Sequence, residues 1–109
     1  MEFEWDDDKN KRNIAKHSVD FRDALHVFID ENRVERLDLR FIYGEERWQT
    51  VGITPKGVLF VVYTEREGGN LVRLVTARKA SKRERSAYQK GIFFSDSKEA
   101  WYGNESSEV

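Results

Sequence analysis

Residues 58–63 read VLFVVY, and this stretch decides the fold of the chain. The run contains no charged residue, so it predicts a strand at the centre of a sheet, covered on both faces. Turn-forming residues flank it, with TPKG at residues 54–57 and GGN at residues 68–70. Neighbouring strands are therefore expected at residues 47–53 and 71–77, each paired with the central strand.

Two more segments show the alternation of apolar and polar side chains that is typical of a half-buried strand. Residues 37–43 read LDLRFIY, and near the N-terminus Phe3 and Trp5 flank Glu4. Strands thus cluster in the middle of the chain, with helical patterns before and after them. The predicted fold is α+β, with the helices on one face of an antiparallel sheet of about four strands.

Three helices are predicted, two before the sheet and one after it. Their approximate bounds are residues 8–17, 19–29 and 82–90. The first follows acidic capping residues and has one weakly amphipathic face, formed by Asn10, Ile14 and His17. The second has Ser18 as its cap and carries an apolar stripe with spacing i, i+3, i+4 and i+7. The third begins at a capping box, SKRE, at residues 81–84.

Charge is unevenly distributed along the chain, although the formal net charge is only −1. Residues 1–55 hold nine lysines and arginines against thirteen carboxylates, residues 56–90 hold nine against three, and residues 91–109 hold one against four. The middle segment therefore concentrates a positive field, which attracts phosphate. We expect one domain at residues 1–90, followed by an acidic, mobile tail at residues 91–109.

Composition excludes several kinds of protein. The chain has no cysteine, which rules out disulfides and thiolate metal sites. Its two histidines, His17 and His26, are too few for an imidazole-rich metal site. The N-terminus lacks the basic and apolar regions of a signal peptide, and no apolar stretch has membrane-spanning length. These features fit a protein of the reducing cytoplasm.

The positive segment is rich in arginine, whose planar guanidinium group binds phosphate oxygens in pairs. On a regular hairpin, Arg47 and Arg66 gather toward one end of the sheet, and Arg78 lies at the other end. The third helix is long enough to run back along the sheet and bring Arg85 and Tyr88 to the Arg66 end. This pattern predicts a nucleic-acid-binding surface between the sheet and the last helix. The alternative is a set of cations that only keep the surface solvated.

A set of short motifs, in order along residues 3–88, resembles the BrnT family of bacterial toxins. The motifs are FEWD at residues 3–6, NIAKH at 13–17, VDF at 19–21, YGEERW at 43–48, VVYTER at 61–66, ARKA at 77–80, and then Arg83, Glu84 and Tyr88. The resemblance implies a RelE-like fold and a cytoplasmic ribonuclease toxin that cleaves RNA without a metal or other cofactor and inhibits translation. It also implies a BrnA-like ribbon-helix-helix antitoxin as partner, with promoter DNA bound only through that antitoxin.

The motif positions and residue types together give candidate site residues. Arg66 and Arg78 are expected to stabilise the phosphate or the transition state. Tyr88 and Glu84 are expected to transfer protons or stack on a base, and His17 to act as a general acid or base. Further cations are expected to bind the RNA backbone, namely Arg47, Arg73, Lys79, Arg83 and Arg85. Structural roles stay open as well, since Glu84 also completes the capping box and His17 also closes the first helix.

Two other functions fit the same basic surface. A toxin-like module would bind RNA or another target without cleaving it, as ParE-like members of this fold class act on gyrase. The surface would also serve to dock an acidic segment of an antitoxin. A cleavage assay distinguishes a ribonuclease from a protein that only binds.

Overall fold

The computed structural model describes residues 1–40, 42 and 44–92. The helices and strands, in chain order, are β1 (Glu2–Glu4), α1 (Asp7–His17), α2 (Phe21–Ala24), which continues as a 3-10 turn (Leu25–Ile29), β2 (Val34–Leu37), β3 (Trp48–Thr54), β4 (Gly57–Arg66), β5 (Leu71–Lys79) and α3 (Lys82–Lys90). None of the described helices combines the length and apolar character needed to cross a membrane. The predicted acidic tail lies outside the described residues from position 93 onward.

Five strands form one sheet in the order β1-β5-β4-β3-β2. The VLFVVY stretch lies in β4, the middle strand, and Leu59, Phe60 and Val61 are at most 1% exposed. The prediction of a central strand is therefore confirmed, as is the mixed α+β class. The sheet has one strand more than expected because β1 joins its edge, parallel to β5, while the other neighbours are antiparallel.

Helices cover both faces of the sheet, so the prediction that they share one face is wrong. On one face, Phe21 and Phe28 belong to a buried cluster with Leu59 and Val61. On the other face, Tyr88 of α3 packs on a second buried cluster, which contains Phe60 and Val62 together with side chains of β2 and β3. The physical reason is that successive side chains of β4 point to opposite faces and are apolar on both.

Helix α3 crosses the sheet instead of running back along it toward Arg66. The Tyr88 hydroxyl donates a 2.6 Å hydrogen bond to Asp30, whose carboxylate also accepts one from the Ile53 backbone amide at 2.8 Å. Ile53 pairs with Val58, at the end of the β3–β4 hairpin remote from Arg66. The expectation that Tyr88 approaches Arg66 is therefore wrong.

The strand predicted at residues 37–43 is displaced toward the N-terminus. Strand β2 ends at Leu37, and the following polar side chains turn inward. Asp38 and Arg40 are both buried in an ion pair with two 2.9 Å hydrogen bonds, while Leu39 is 60% exposed. Alternation misleads here because the polar positions of the pattern, Asp38 and Arg40, are buried as an ion pair, while the apolar Leu39 faces solvent. Phe41 and Tyr43 lie outside the described residues.

The helix termini follow local sequence signals. Asp6 caps α1 by accepting hydrogen bonds from the Asp8 and Lys9 amides, and Ser18 ends the helix in the left-handed conformation. The cap of α2 is Asp20, not Ser18 as predicted, because Ser18 is still engaged in the end of α1. The capping box of α3 is confirmed, with both reciprocal hydrogen bonds present.

The buried face of α1 is polar, contrary to the predicted Asn10–Ile14–His17 face. Asn10 and Asn13 are buried, whereas Ile14 is 39% exposed. The Asn13 amide donates to the Ala77 carbonyl at 2.8 Å and accepts from the Ala77 amide at 3.1 Å, so it pairs with the edge of β5 beyond the end of β1. This pairing satisfies strand groups that would otherwise be orphaned and fixes the rotation of α1 about its axis.

Replacing Asn13 with alanine is expected to lower the free energy of unfolding by about 2–3 kcal/mol, since buried backbone groups of Ala77 lose their partners. Urea denaturation measures the change. The matched control is Asn32→Ala, at an exposed turn position, which we expect to cost less than about 0.5 kcal/mol. Equal losses in the two variants would show that Asn13 does not hold α1 against the sheet.

Candidate functional site

A cleft of about 270 Å³ opens between α1, the segment before β3, and strands β4 and β5. Its described lining residues are Lys9, Arg12, Asn13, Lys16, His17, Arg40, Arg47, Val62, Val75 and Thr76. This lining contains five lysines and arginines and no aspartate or glutamate. The cleft therefore has a positive rim over a partly apolar floor, which favours an anionic ligand with an apolar part.

Helix α1 supplies most of this charge from one face. Lys9, Arg12 and Lys16 are spaced i, i+3 and i+7, so they lie along one side of the helix. Asn13 lies between them and is tied to β5, which orients that side toward the cleft. No salt bridge joins any of these three cations to a carboxylate within residues 1–40, 42 and 44–92.

Lys9 shows the electrostatic consequence of this crowding. Partial burial, followed by the nearby positive charges of Arg47, Arg73 and Arg12, lowers the pKa of Lys9 below its usual value. A bound anion would offset the repulsion among these cations and favour the ammonium form of Lys9. The positive charges around Lys9 thus favour the entry of negative charge.

The other two arginines of the cleft, Arg40 and Arg47, differ from the cations of α1 because each has a carboxylate partner. Asp38 holds Arg40 in the buried pair described above, and the guanidinium carbon of Arg40 lies 5.5 Å from the centre of the Phe60 ring. Arg47 donates from Nε to Glu45 at 3.4 Å, near the limit of a hydrogen bond. Arg40 is thus a fixed part of the wall, and the contact of Arg47 with Glu45 is the longer of the two carboxylate contacts.

His17, the last residue of α1, lines the cleft in a half-buried position. The second histidine, His26, is exposed and lines a separate depression with Ile29 and Ile53. Of the two histidines, His17 is therefore the one placed among the cations. No group of three histidine, cysteine, aspartate or glutamate side chains in the described part of the chain is arranged to hold a metal ion.

The structure brings together only some of the residues that the sequence singled out. His17 and Arg47 line the cleft, and Arg66 contacts Glu45, the residue that also binds Arg47. Arg73 pairs with Glu4 at 2.5 Å, beside the Lys9 end of the cleft. The remaining cations are spread over other surfaces, with Lys79 in a depression beside Lys56 and Arg83 and Arg85 on α3.

Arg78 and Glu84 are joined in a buried, two-pronged ion pair. The Nη1–Oε1 and Nη2–Oε2 distances are 2.8 and 3.0 Å, and the side chains are 7% and 3% exposed. The guanidinium carbon of Arg78 lies 4.1 Å from the centre of the Phe60 ring, and Glu84 also accepts the capping hydrogen bond from Ser81. Both groups therefore face protein atoms, not solvent.

Tyr88 is also engaged within the protein, through its hydrogen bond to Asp30. That bond to a carboxylate, with partial burial, raises the pKa of Tyr88 to about 12. The phenol therefore keeps its proton to a higher pH than an ordinary tyrosine does. Its hydroxyl lies beside Asp30, near the β3–β4 turn and remote from Arg66.

The cations of residues 56–90, expected to bind nucleic acid between the sheet and the last helix, do not line this cleft. All five lysines and arginines of the cleft come from the first 55 residues, the segment with a net negative charge. Lys9 and Arg12 were missed as site residues because the net charge of a segment does not show which of its side chains lie on the same face. The helical spacing of Lys9, Arg12 and Lys16 was the sequence signal that could have identified them as one positive face.

Comparison with known proteins gives one family match. The model of a family described as "Ribonuclease toxin, BrnT, of type II toxin-antitoxin system" matches residues 5–84. This range covers most of the chain and includes every described residue that lines the cleft. No curated protein matches the chain.

Proposed function

Since the chain belongs to the BrnT family of ribonuclease toxins of type II toxin–antitoxin systems, we propose that it is a metal-independent endoribonuclease that binds the RNA backbone in the basic cleft. The observation that carries this proposal is the row formed by Lys9, Arg12 and Lys16, which makes no salt bridge with a carboxylate of the described residues and ends at His17. A phosphodiester chain supplies the negative charge that this row lacks.

The chemistry that fits these residues is attack of an RNA 2′-oxygen on the adjacent phosphorus. The bond from phosphorus to the 5′-oxygen breaks, which leaves a 2′,3′-cyclic phosphate on one product and a 5′-hydroxyl on the other. One group must take the 2′ proton and another must protonate the leaving oxygen. The cations stabilise the extra negative charge that develops on the phosphorane.

We assign one of these proton transfers to His17, because an imidazole ordinarily titrates near neutral pH. Lys9 and Arg12 reach into the same cleft and are assigned to the phosphorane oxygens. Arg47 and Arg66 extend the positive surface beyond the cleft. These assignments are supported by the common location of the side chains and by the charge of their surroundings.

Arg78, Glu84 and Tyr88 receive a different assignment from the one that their motif positions imply. Their charged or polar atoms are engaged with one another or with Asp30, so we propose that they brace α3 on the sheet. Lys79, Arg83 and Arg85 lie outside the cleft and are assigned at most to peripheral contacts with a longer RNA.

Membership of a type II family implies an antitoxin partner and an RNA target. We propose that the antitoxin is a BrnA-like ribbon-helix-helix protein, that promoter DNA is contacted only through it, and that free toxin acts in the cytoplasm by inhibiting translation. A RelE-like fold is part of the same proposal, and the mixed five-stranded sheet supports it. If free toxin inhibits translation, cells that express this chain without the antitoxin are expected to grow poorly.

Purified protein is expected to cleave single-stranded RNA in the presence of EDTA and to leave cyclic phosphate ends. The control substrate is the same sequence with 2′-O-methyl groups, which should bind but remain intact because its 2′-oxygens cannot attack. Gel analysis of the products and their termini measures both outcomes. Intact RNA after incubation with folded protein, with or without ribosomes, would contradict a catalytic role and favour a toxin that only binds.

A further inference from the structure

The Glu45 carboxylate bridges two arginines, one just before β3 and one at the end of β4. Its Oε2 atom accepts from Arg47 Nε and its Oε1 atom accepts from Arg66 Nη2, each at 3.4 Å. Arg47 precedes β3 and lines the basic cleft, while Arg66 is the last residue of β4 and lies outside it. A single anionic group therefore lies between two guanidinium groups at the edge of the cleft.

This arrangement has the geometry of an anion site that a side chain of the protein itself occupies. A carboxylate and a phosphodiester both present two oxygens on one central atom, and both match guanidinium donors. We propose that Arg47 and Arg66 form a phosphate subsite for the RNA strand as it leaves the cleft, and that Glu45 fills this subsite in the free protein. The inference rests on the proposed function and names a further part of its binding site.

The contacts of Glu45 are weak enough to be exchanged. Both distances are at the long limit of hydrogen bonding, and the side chains of Glu45 and Arg66 are 38% and 47% exposed. Ion pairs with this exposure contribute little to stability. A phosphate already held nearby by the row on α1 would therefore displace the carboxylate at small cost, through its high local concentration.

The subsite also accounts for the position of Arg66. The register pairs Arg66 with Leu71 and Phe60 with Arg78, so the two arginines expected to act together lie at opposite ends of the β4–β5 hairpin. Arg66 does not line the cleft, but Glu45 connects it to Arg47, which does. In this arrangement Arg66 binds a different phosphate from the one that reacts.

Glu45→Gln is expected to tighten binding of a 2′-O-methyl RNA oligonucleotide about fivefold at low salt, which is the effect of removing one opposing charge at contact distance. The matched control is Glu46→Gln, which has the same charge change one residue along the chain and lines, with Glu45 and Arg66, one surface depression. Because Glu46 makes no described contact with either arginine, its replacement should change the Kd less than twofold. Fluorescence anisotropy with the uncleavable RNA measures all variants.

In an Arg66→Gln background, the gain from Glu45→Gln is expected to fall below twofold, because the subsite has lost one of its two donors. Equal effects of the Glu45 and Glu46 substitutions, or an undiminished gain without Arg66, would overturn the subsite. The absence of binding by every variant would also overturn it. If the expected affinities are found but unmodified RNA stays intact, the subsite stands and the proposed ribonuclease activity fails.

Discussion

Replacing Glu84 with alanine is expected to lower the free energy of unfolding by about 3–5 kcal/mol, because the substitution leaves the buried charge of Arg78 without a partner. Arg78 is 7% exposed and has the Phe60 ring on one side, so its guanidinium group cannot turn into solvent without disturbing the core. The same substitution removes the acceptor for the Ser81 amide at the start of α3.

Urea denaturation followed by circular dichroism tests this expectation. The control is Glu31→Ala, which deletes an equal charge at an exposed turn position and should change the free energy of unfolding by less than about 0.5 kcal/mol. A loss near that of the control would contradict a bracing role for the Arg78–Glu84 pair. Unchanged stability with abolished RNA cleavage would instead return Glu84 to the catalytic role that its motif position implies.

Local signals in the sequence were sufficient for the centre of the sheet and for the last helix. VLFVVY contains no polar interruption, so a strand covered on both faces was the simplest way to bury it. The turn at residues 54–57 and the capping box at residues 81–84 depend on neighbouring residues only, and both formed as predicted. Features of this kind can be derived from the sequence because their causes lie within a few residues.

Predictions failed where a polar side chain is buried with a partner that the alternation of apolar and polar residues does not show. Asp38 is buried because Arg40 neutralises it, which reverses the alternation that had predicted a strand there. Asn13 is buried because the free edge of β5 needs hydrogen-bond partners, and only the assembled sheet creates that edge. In both cases the pattern of apolar and polar residues does not show the interaction that buries the side chain.

The candidate site shows the same limit. The net charge of a segment predicted a basic surface near the C-terminal third, yet helix α1 concentrates cations from an acidic segment on one face. Asp38 and Glu45 of that segment do pair with two cleft arginines, Arg40 and Arg47. The three cations of α1 make no salt bridge with a carboxylate of the described residues. Helical spacing, unlike net charge, contained the information that located Lys9, Arg12 and Lys16.

Removing the three cations of α1 is expected to lower the rate of RNA cleavage at least 100-fold. Lys9, Arg12 and Lys16 are assigned to substrate phosphates and the phosphorane, and loss of a single group that stabilises transition-state charge already costs about 10²–10³ in rate. The fold should tolerate the triple alanine variant because Arg12 and Lys16 are exposed and alanine favours helix. Circular dichroism and urea denaturation verify that the variant is folded.

The decisive control removes the same charge elsewhere on the molecule. Lys56, Lys82 and Lys90 are exposed, belong to the positive segment at residues 56–90, and do not line the cleft. The measurement compares cleavage of one RNA in EDTA by the wild-type protein, the Lys9/Arg12/Lys16 variant and the Lys56/Lys82/Lys90 variant. We expect a loss of at least 100-fold in the first variant and less than about threefold in the second. Similar losses in both, or full activity without the cations of α1, would contradict the assignment of the cleft as the site of RNA cleavage.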